Sequence, residues 1–208
     1  MADEKLNSKL LDAINSADLK NVEGALAMGA DPNLILPNGN PLFVEIAFNG
    51  DLELVKLFIK KGVNINIKNP LGQTALSGAL MNQNPELLDL LLSNGASVDG
   101  TDALSAPLAI VITTDDLVSA EKLLKKGANP NATYLQNVDD QMRSFLAAML
   151  KNNLFKNPEK GMRIFVDEES AKEIVSKKLS QIKVTPLSLA KNGKSEKMVA
   201  LLKKFGAK

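Results

Sequence analysis

Turn glycines at a nearly fixed interval constrain this chain more than any other sequence feature. The spacing is 33, 33 and 32 residues between Gly29, Gly62, Gly95 and Gly127. Glycine adopts the left-handed backbone conformation that closes a helix at little energetic cost, so each position predicts a helix end. A period of this length predicts a repeated supersecondary unit, which must stack on its neighbours to bury its apolar surface.

The stretch 72–99 shows the unit in its clearest form. Thr74 is expected to cap a short first helix with an apolar stripe. Asn84 then caps a second helix, with Pro85 in its first turn and a leucine-rich sequence behind it. Gly95 ends that second helix. The unit is therefore predicted to be a helix–turn–helix.

A short motif opens several of these units. Its best examples are 72–76, with the sequence GQTAL, and 185–190, with the sequence TPLSLA. Weaker versions occupy 39–43 and 106–108. This motif and the period of about 33 residues resemble the ankyrin repeat. The resemblance covers roughly residues 6–133 and 185–208.

The resemblance implies an all-α ankyrin-repeat solenoid of helix-turn-helix units with short hairpin-like loops. It implies five to six repeats, including one distorted repeat. The family's motif also contains a histidine, which this chain lacks throughout, and Ser77 and Ser188 stand at that position in the two best matches. The family's turn asparagine is matched by Asn33, Asn66 and Asn131, whose implied role is to hold the turn.

A short polar residue with a side-chain oxygen recurs at the start of each second helix. The positions are Asp18, Asp51, Asn84, Asp116 and Ser195. Each side chain can accept a hydrogen bond from a helix N–H group that has no partner within the helix. We therefore interpret the aspartates as structural caps and not as catalytic carboxylates.

We predict a single ankyrin-repeat domain over residues 1–208. The repeats are predicted at approximately 4–33, 34–66, 67–99, 100–131, 132–184 and 185–208, the last being a C-terminal cap. Residues 132–184 are irregular and expanded, because Gly127 and Gly206 are 79 residues apart, which equals two periods of 33 plus 13. This interval favours a distorted repeat. The rival interpretation is an excursion outside the repeat pattern, followed by a last repeat.

Composition excludes several classes of chemistry. The chain contains no Cys and no His, which excludes thiolate nucleophiles, disulfides and His-based acid–base catalysis. Acidic pairs such as Asp115-Asp116 fall at helix starts, where the helix dipole favours negative charge. We predict no catalytic residue, no cofactor and no metal site, and we expect that the protein is not an enzyme.

The charge balance bears on the kind of partner. The chain has 25 Lys and Arg residues against 24 Asp and Glu residues, so no global field favours nucleic acid or a membrane surface. No run of the sequence is long and apolar enough for a membrane span. We predict a monomer that binds a protein, in the cytoplasm. The alternative location is periplasmic or secreted, as an effector, if a signal sequence has been removed.

Positions that packing does not require are the candidate contacts. In a stack of such units the first helices line a concave face, and the hairpin loops project beside it as fingers. Large or polar side chains there fit an interface with apolar anchors and a polar rim. The candidate partner-binding residues are Leu36, Asn38, Glu45, Phe48, Lys68, Leu71, Met81, Asn82, Asp102, Leu104, Thr113 and Tyr134.

Two functions fit these features. The first is a non-enzymatic scaffold that binds an unidentified protein or peptide on its concave face. The second is an inhibitor or host-directed effector that acts through the irregular segment 132–184, because long irregular segments in compact domains often carry function.

Overall fold

The structure is a computed structural model that describes residues 2–100, 105–137, 147, 150–151, 168–177 and 181–208. The chain divides into two compact units, Met1–Ser97 and Val98–Lys208, each with its own packing. The prediction that residues 1–208 form a single domain stays a prediction.

The first unit consists of three helix pairs. Its helices are α1 Ala2–Asn15, α2 Leu19–Ala27, α3 Leu42–Phe48, α4 Leu52–Lys60, α5 Ala75–Met81 and α6 Pro85–Ser93. The two helices of each pair, α1–α2, α3–α4 and α5–α6, pack against each other. Helix α3 also packs on α5, and α4 packs on α6. The core lies between these layers and includes the stacked rings of Phe43 and Phe58, whose centroids are 6.3 Å apart.

The second unit combines helix pairs with a two-stranded ribbon. Its elements are α7 Pro107–Thr113, α8 Leu117–Lys125, β1 Tyr134–Asn137, α9 Glu168–Lys177, β2 Gln181–Val184, α10 Pro186–Asn192 and α11 Glu196–Lys204. The pairs α7–α8 and α10–α11 have the same pattern as α3–α4 and α5–α6 of the first unit, a helix of 7 residues followed by one of 9. Among the described residues, no helix has the length and apolar character needed to cross a membrane.

The predicted caps of the second helices are confirmed. In each case the side chain accepts a hydrogen bond from the backbone N–H three residues later, at 3.0–3.2 Å. The capping residues are Asp18, Asp51, Asn84, Asp116 and Ser195. Gly95 follows α6 with a φ of +87°, the left-handed conformation expected from the sequence.

The serines that stand at the family's histidine position complete a reciprocal cap at the first helix. The Thr185 N–H donates to Ser188 Oγ at 2.9 Å, and the Ser188 N–H donates to Thr185 Oγ1 at 3.2 Å. Thr74 and Ser77 form the same pair at the start of α5. A capping box of this kind satisfies two helix-terminal N–H groups, so the loop and the first helix are tied without an imidazole.

Asparagine side chains join the turn of one helix pair to the turn of the next. The Asn64 N–H donates to Asn33 Oδ1 at 2.7 Å. Asn66 makes two such bonds: its Oδ1 accepts from the Ser97 N–H at 2.8 Å, and its Nδ2 donates to the Gly95 carbonyl at 3.3 Å. The predicted role of these asparagines in holding the turn is confirmed, and it extends to the following pair.

The same link joins the fourth helix pair directly to the last one. Asn131 Nδ2 donates to the Gly206 carbonyl and Asn131 Oδ1 accepts from the Lys208 N–H, both at 2.9 Å. The link from Asn131 to Gly206 spans 75 residues of sequence, whereas the equivalent link from Asn66 to Gly95 spans 29. About 46 additional residues therefore lie between two pairs that are neighbours in space.

The placement of the last pair bears on the interpretation of residues 132–184, most of which lie outside the described residues. Helix α10 packs on α7, and α11 packs on α8. A distorted repeat stacked between the fourth pair and the last would separate these helices, so this packing disfavours it, and the predicted repeat bounds stay a prediction. The rival interpretation, an excursion followed by a last repeat, agrees with the packing.

The excursion leaves and rejoins the stack through a β-ribbon. Strands β1 and β2 pair antiparallel, with Tyr134 opposite Val184 and Asn137 opposite Gln181. The ribbon occupies the place of the finger between the two neighbouring pairs. Residues 138–180 are thus inserted in the sequence between β1 and β2, while the helix pairs on either side of the ribbon pack on each other.

Replacing Asn131 by alanine should loosen the last helix pair. The substitution removes two hydrogen bonds to the turn at Gly206, and we expect a loss of about 1–3 kcal/mol in the free energy of unfolding. Hydrogen exchange should become faster at the amides of α10 and α11. The control is Asn94→Ala, since within the described part of the chain the Asn94 amide bonds to its own helix end. Equal effects of both substitutions would contradict the role assigned to Asn131.

Candidate partner-binding face

Eight of the twelve predicted contact residues belong to the first unit. They lie on the two fingers, 34–41 and 67–74, and at the exposed ends of α3 and α5. We call this surface the finger face. Its predicted members are Leu36, Asn38, Glu45, Phe48, Lys68, Leu71, Met81 and Asn82. Asn38, Lys68, Leu71, Met81 and Asn82 are exposed, whereas Leu36, Glu45 and Phe48 are half-buried.

The first finger is tied to α3 through the carboxylate of Glu45. Asn40 Nδ2 donates to Glu45 Oε1 at 2.5 Å, and Asn38 Nδ2 donates to the same oxygen at 3.4 Å. Asn38 Oδ1 in turn accepts from the Asn40 N–H at 2.9 Å. These bonds fix the carboxylate beside the finger.

Phe48 joins the faces of α3 and α5. A Cβ atom added to Gly78 would lie 2.7 Å from Cδ2 of Phe48, so the absence of a side chain at Gly78 makes room for the ring. Asn82 Nδ2 donates to the Phe48 carbonyl at 2.5 Å, which adds a polar link between the ends of the two helices. The ring therefore packs between the two helices and remains half-buried.

The second finger presents the most exposed apolar side chain of this face. Leu71 is 73% exposed, and its N–H donates to Asn69 Oδ1 at 3.0 Å. Asn69 also bonds to Gln73, whose Nε2 lies 3.7 Å from the sulfur of Met81. Met81 is 37% exposed. A continuous series of contacts thus joins the finger tip to the end of α5.

The four remaining predictions fall in the second unit and have different outcomes. Tyr134 is 3% exposed and cannot contact a partner, so its assignment to a binding finger is wrong. The physical reason is its position in β1 opposite Val184, where the ring is buried and not projected from the finger. Thr113 is half-buried, and its hydroxyl donates to the Ile110 carbonyl at 2.8 Å. Asp102 and Leu104 lie outside the described residues.

Sequence reasoning missed three members of the finger face. Asn40 orients Glu45 through a hydrogen bond, and Gln73 contacts the sulfur of Met81. Ile35 is 51% exposed, and it precedes the half-buried Leu36. Ile35 forms a β-bridge with Pro41. Adjacent residues in an extended segment point to opposite sides, so the pair Ile35-Leu36 cannot be buried together. This alternation was the sequence signal that could have identified Ile35 as exposed.

Catalytic chemistry finds no support in the part of the chain that the structure describes. No group of three or more acidic, Cys or His side chains that could hold a metal ion occurs there. The acidic residues at the starts of α4 and α8, Asp51 and Asp116, are used as helix caps. The finger face offers apolar and amide groups, which suit binding.

Comparison with known proteins agrees with the repeat architecture. Residues 10–102 and 43–134 match the family described as "Ankyrin repeats (3 copies)", and together they cover more than half of the chain. The chain belongs to the ankyrin-repeat family. The predicted all-α fold of stacked helix–turn–helix units is confirmed, and ankyrin repeats generally mediate protein–protein interaction.

Two characterised relatives share parts of the sequence. The probable E3 ubiquitin-protein ligase XBOS33 of Oryza sativa subsp. japonica is 34% identical over 87 residues, which are 41% of this chain and 17% of the relative. Rabankyrin-5 of Mus musculus is 28% identical over 159 residues, which are 75% of this chain and 13% of the relative. The chain thus spans less than a fifth of either relative.

Replacing Gly78 by alanine should destabilise the first unit through Phe48. We expect overpacking to exceed the gain in helix propensity and to lower the free energy of unfolding by about 1–2 kcal/mol. In a Phe48→Ala background the same substitution should be stabilising, because the ring is gone. Gly24→Ala in α2 is the control, since open space surrounds that position, and it should stabilise by about 0.5–1 kcal/mol. A loss at Gly78 that persists without Phe48 would contradict the contact.

A spectroscopic titration of the Tyr134 phenol should show that its side chain is buried. Burial and, secondarily, the charge of Asp99 raise the pKa of the Tyr134 phenol well above its usual value of 10.0. Because the neutral phenol is favoured in the folded state, its contribution to stability is complete below pH 10 and declines above it. The chain has one Tyr and no Trp, so near-ultraviolet absorbance follows this group alone. Ionisation near pH 10 in the folded protein would show that the ring is accessible.

Proposed function

We propose that this protein is a non-enzymatic interaction module that binds a protein or peptide through the finger face of its first unit. The observation that carries the proposal is the placement of Leu71 and Met81. Both are exposed apolar side chains; Asn69 fixes the backbone of Leu71 through its N–H, and Gln73 contacts the sulfur of Met81. Positioned apolar anchors within a polar rim are typical of interface cores.

The half-buried Phe48 extends this apolar area along α3. Its contact with Gly78 and the bond from Asn82 to its carbonyl connect it to the helix that carries Met81. An anchor that is already fixed in the free protein loses little conformational entropy on binding, which favours affinity. The finger face is therefore suited to binding without rearrangement.

The overall charge favours a protein partner. Positive and negative side chains are nearly balanced, whereas nucleic-acid binding depends on a concentrated positive field. The two relatives give no partner, because the matched regions cover only 17% and 13% of their lengths. Ankyrin stacks bind many different targets, so the target must be inferred from the surface itself.

A double substitution of the anchors tests the proposal. Leu71→Ser with Met81→Ser should weaken capture of a specific protein from lysate of the source organism by at least about tenfold, as expected for the loss of two interface anchors. Thermal unfolding should be almost unchanged, because both side chains are exposed. Quantitative mass spectrometry of the captured proteins provides the measurement.

The matched control is Met28→Ser, which changes a 60% exposed methionine outside the finger face. It should leave capture intact. Capture that survives the double substitution but is lost on deletion of 138–180 would replace this proposal by the alternative, an inhibitor or effector that acts through the segment 132–184. The alternative is supported by the length of the sequence inserted between β1 and β2, since long irregular segments in compact domains often carry function.

A further inference from the structure

The finger face carries a carboxylate that the fold orients but does not neutralise. Glu45 is half-buried and projects from α3, one helical turn before Phe48. Its Oε1 atom accepts hydrogen bonds from the side-chain amides of Asn38 and Asn40. Within the described part of the chain, no Lys or Arg lies at ion-pair distance from this carboxylate, whereas Glu53, Glu121 and Glu173 each have a lysine partner.

The two amide donors act on one oxygen and leave the other available. Both described bonds end on Oε1, and Oε2 is not used by either amide. Neutral amides hold the carboxylate in place without cancelling its charge. A cationic group of a ligand would stabilise this partly buried carboxylate more than another neutral donor would, since a charge-assisted hydrogen bond is stronger than a neutral one.

Apolar side chains follow Glu45 along the same surface. Phe48 lies three residues later on the same helical face and rests on Gly78, and Met81 lies three residues after Gly78 on α5. Gln73 and Asn69 then connect Met81 to Leu71. Besides the exposed Lys68 on the second finger, which forms no ion pair with Glu45, the face thus presents one negative group, an aromatic ring, a thioether and an exposed leucine.

We propose that the ligand of the finger face is a peptide segment that places a Lys or Arg side chain on Glu45 and apolar side chains on Phe48, Met81 and Leu71. This proposal rests on the proposed function and adds the chemistry of the partner. The complementary charge comes from the ligand because the fold supplies none at this position. Charge complementarity of this kind selects among partners and fixes their register on the surface.

The experiment uses a displayed library of random dodecapeptides as the probe, selected on the full chain. Selected peptides should be enriched in Lys or Arg next to Leu, Ile, Met or aromatic residues. Synthetic copies should bind Glu45→Gln about tenfold more weakly than the natural chain, because the neutral side chain still accepts the amide bonds but no longer attracts a cation. Their affinity should also fall as the salt concentration rises.

Matched variants separate this proposal from the proposed function. Glu86→Gln is the control, because Glu86 is an exposed carboxylate on α6, outside the finger face, and it should bind the peptides as the natural chain does. Leu71→Ser with Met81→Ser should weaken every selected peptide. Peptides that need Leu71 and Met81 but tolerate Glu45→Gln, or that lack a basic residue, would overturn the cation proposal alone. A library that yields no peptide dependent on Leu71 and Met81 would overturn both proposals.

Discussion

The structure depends on hydrogen bonds between asparagine side chains in one turn and the backbone of the next turn. A single pair of short helices exposes apolar surface on two sides, so it is stable only against a neighbour. Asn33, Asn66 and Asn131 fix how that neighbour docks, because each side chain bonds to the backbone of the following turn. These bonds require that the two turns be close in space, and they do not depend on the number of residues between the turns.

A long insertion is accommodated because these bonds do not depend on sequence separation. The turn at Gly206 meets Asn131 across 75 residues of sequence, in the geometry that Gly95 shows with Asn66 across 29. Lengthening a loop costs little free energy, since the entropy of loop closure grows only with the logarithm of its length. The β1–β2 ribbon brings the two ends of the insertion together, and the packing of α10 on α7 is preserved.

The finger face was predictable in outline and less so in detail. Leu71 and Met81 were identified from their positions in the repeat, and both are exposed. Tyr134 occupies a comparable place in the sequence but is buried, because its finger is a paired strand leading to an insertion. Loop position alone cannot distinguish a projecting side chain from one that folds back. The amide network around Glu45 likewise depends on side-chain distances that no sequence pattern encodes.

The sequence by itself determined the local structure: the period, the capped helices and the turns that close them. Asp51, Asn84 and Gly95 act within a few residues of their own position, so their roles follow from short-range chemistry. Tertiary structure alone decided that the last helix pair adjoins the fourth and that, among the described residues, no Lys or Arg pairs with Glu45. Those features depend on contacts between residues whose separation along the chain has no fixed relation to their separation in space.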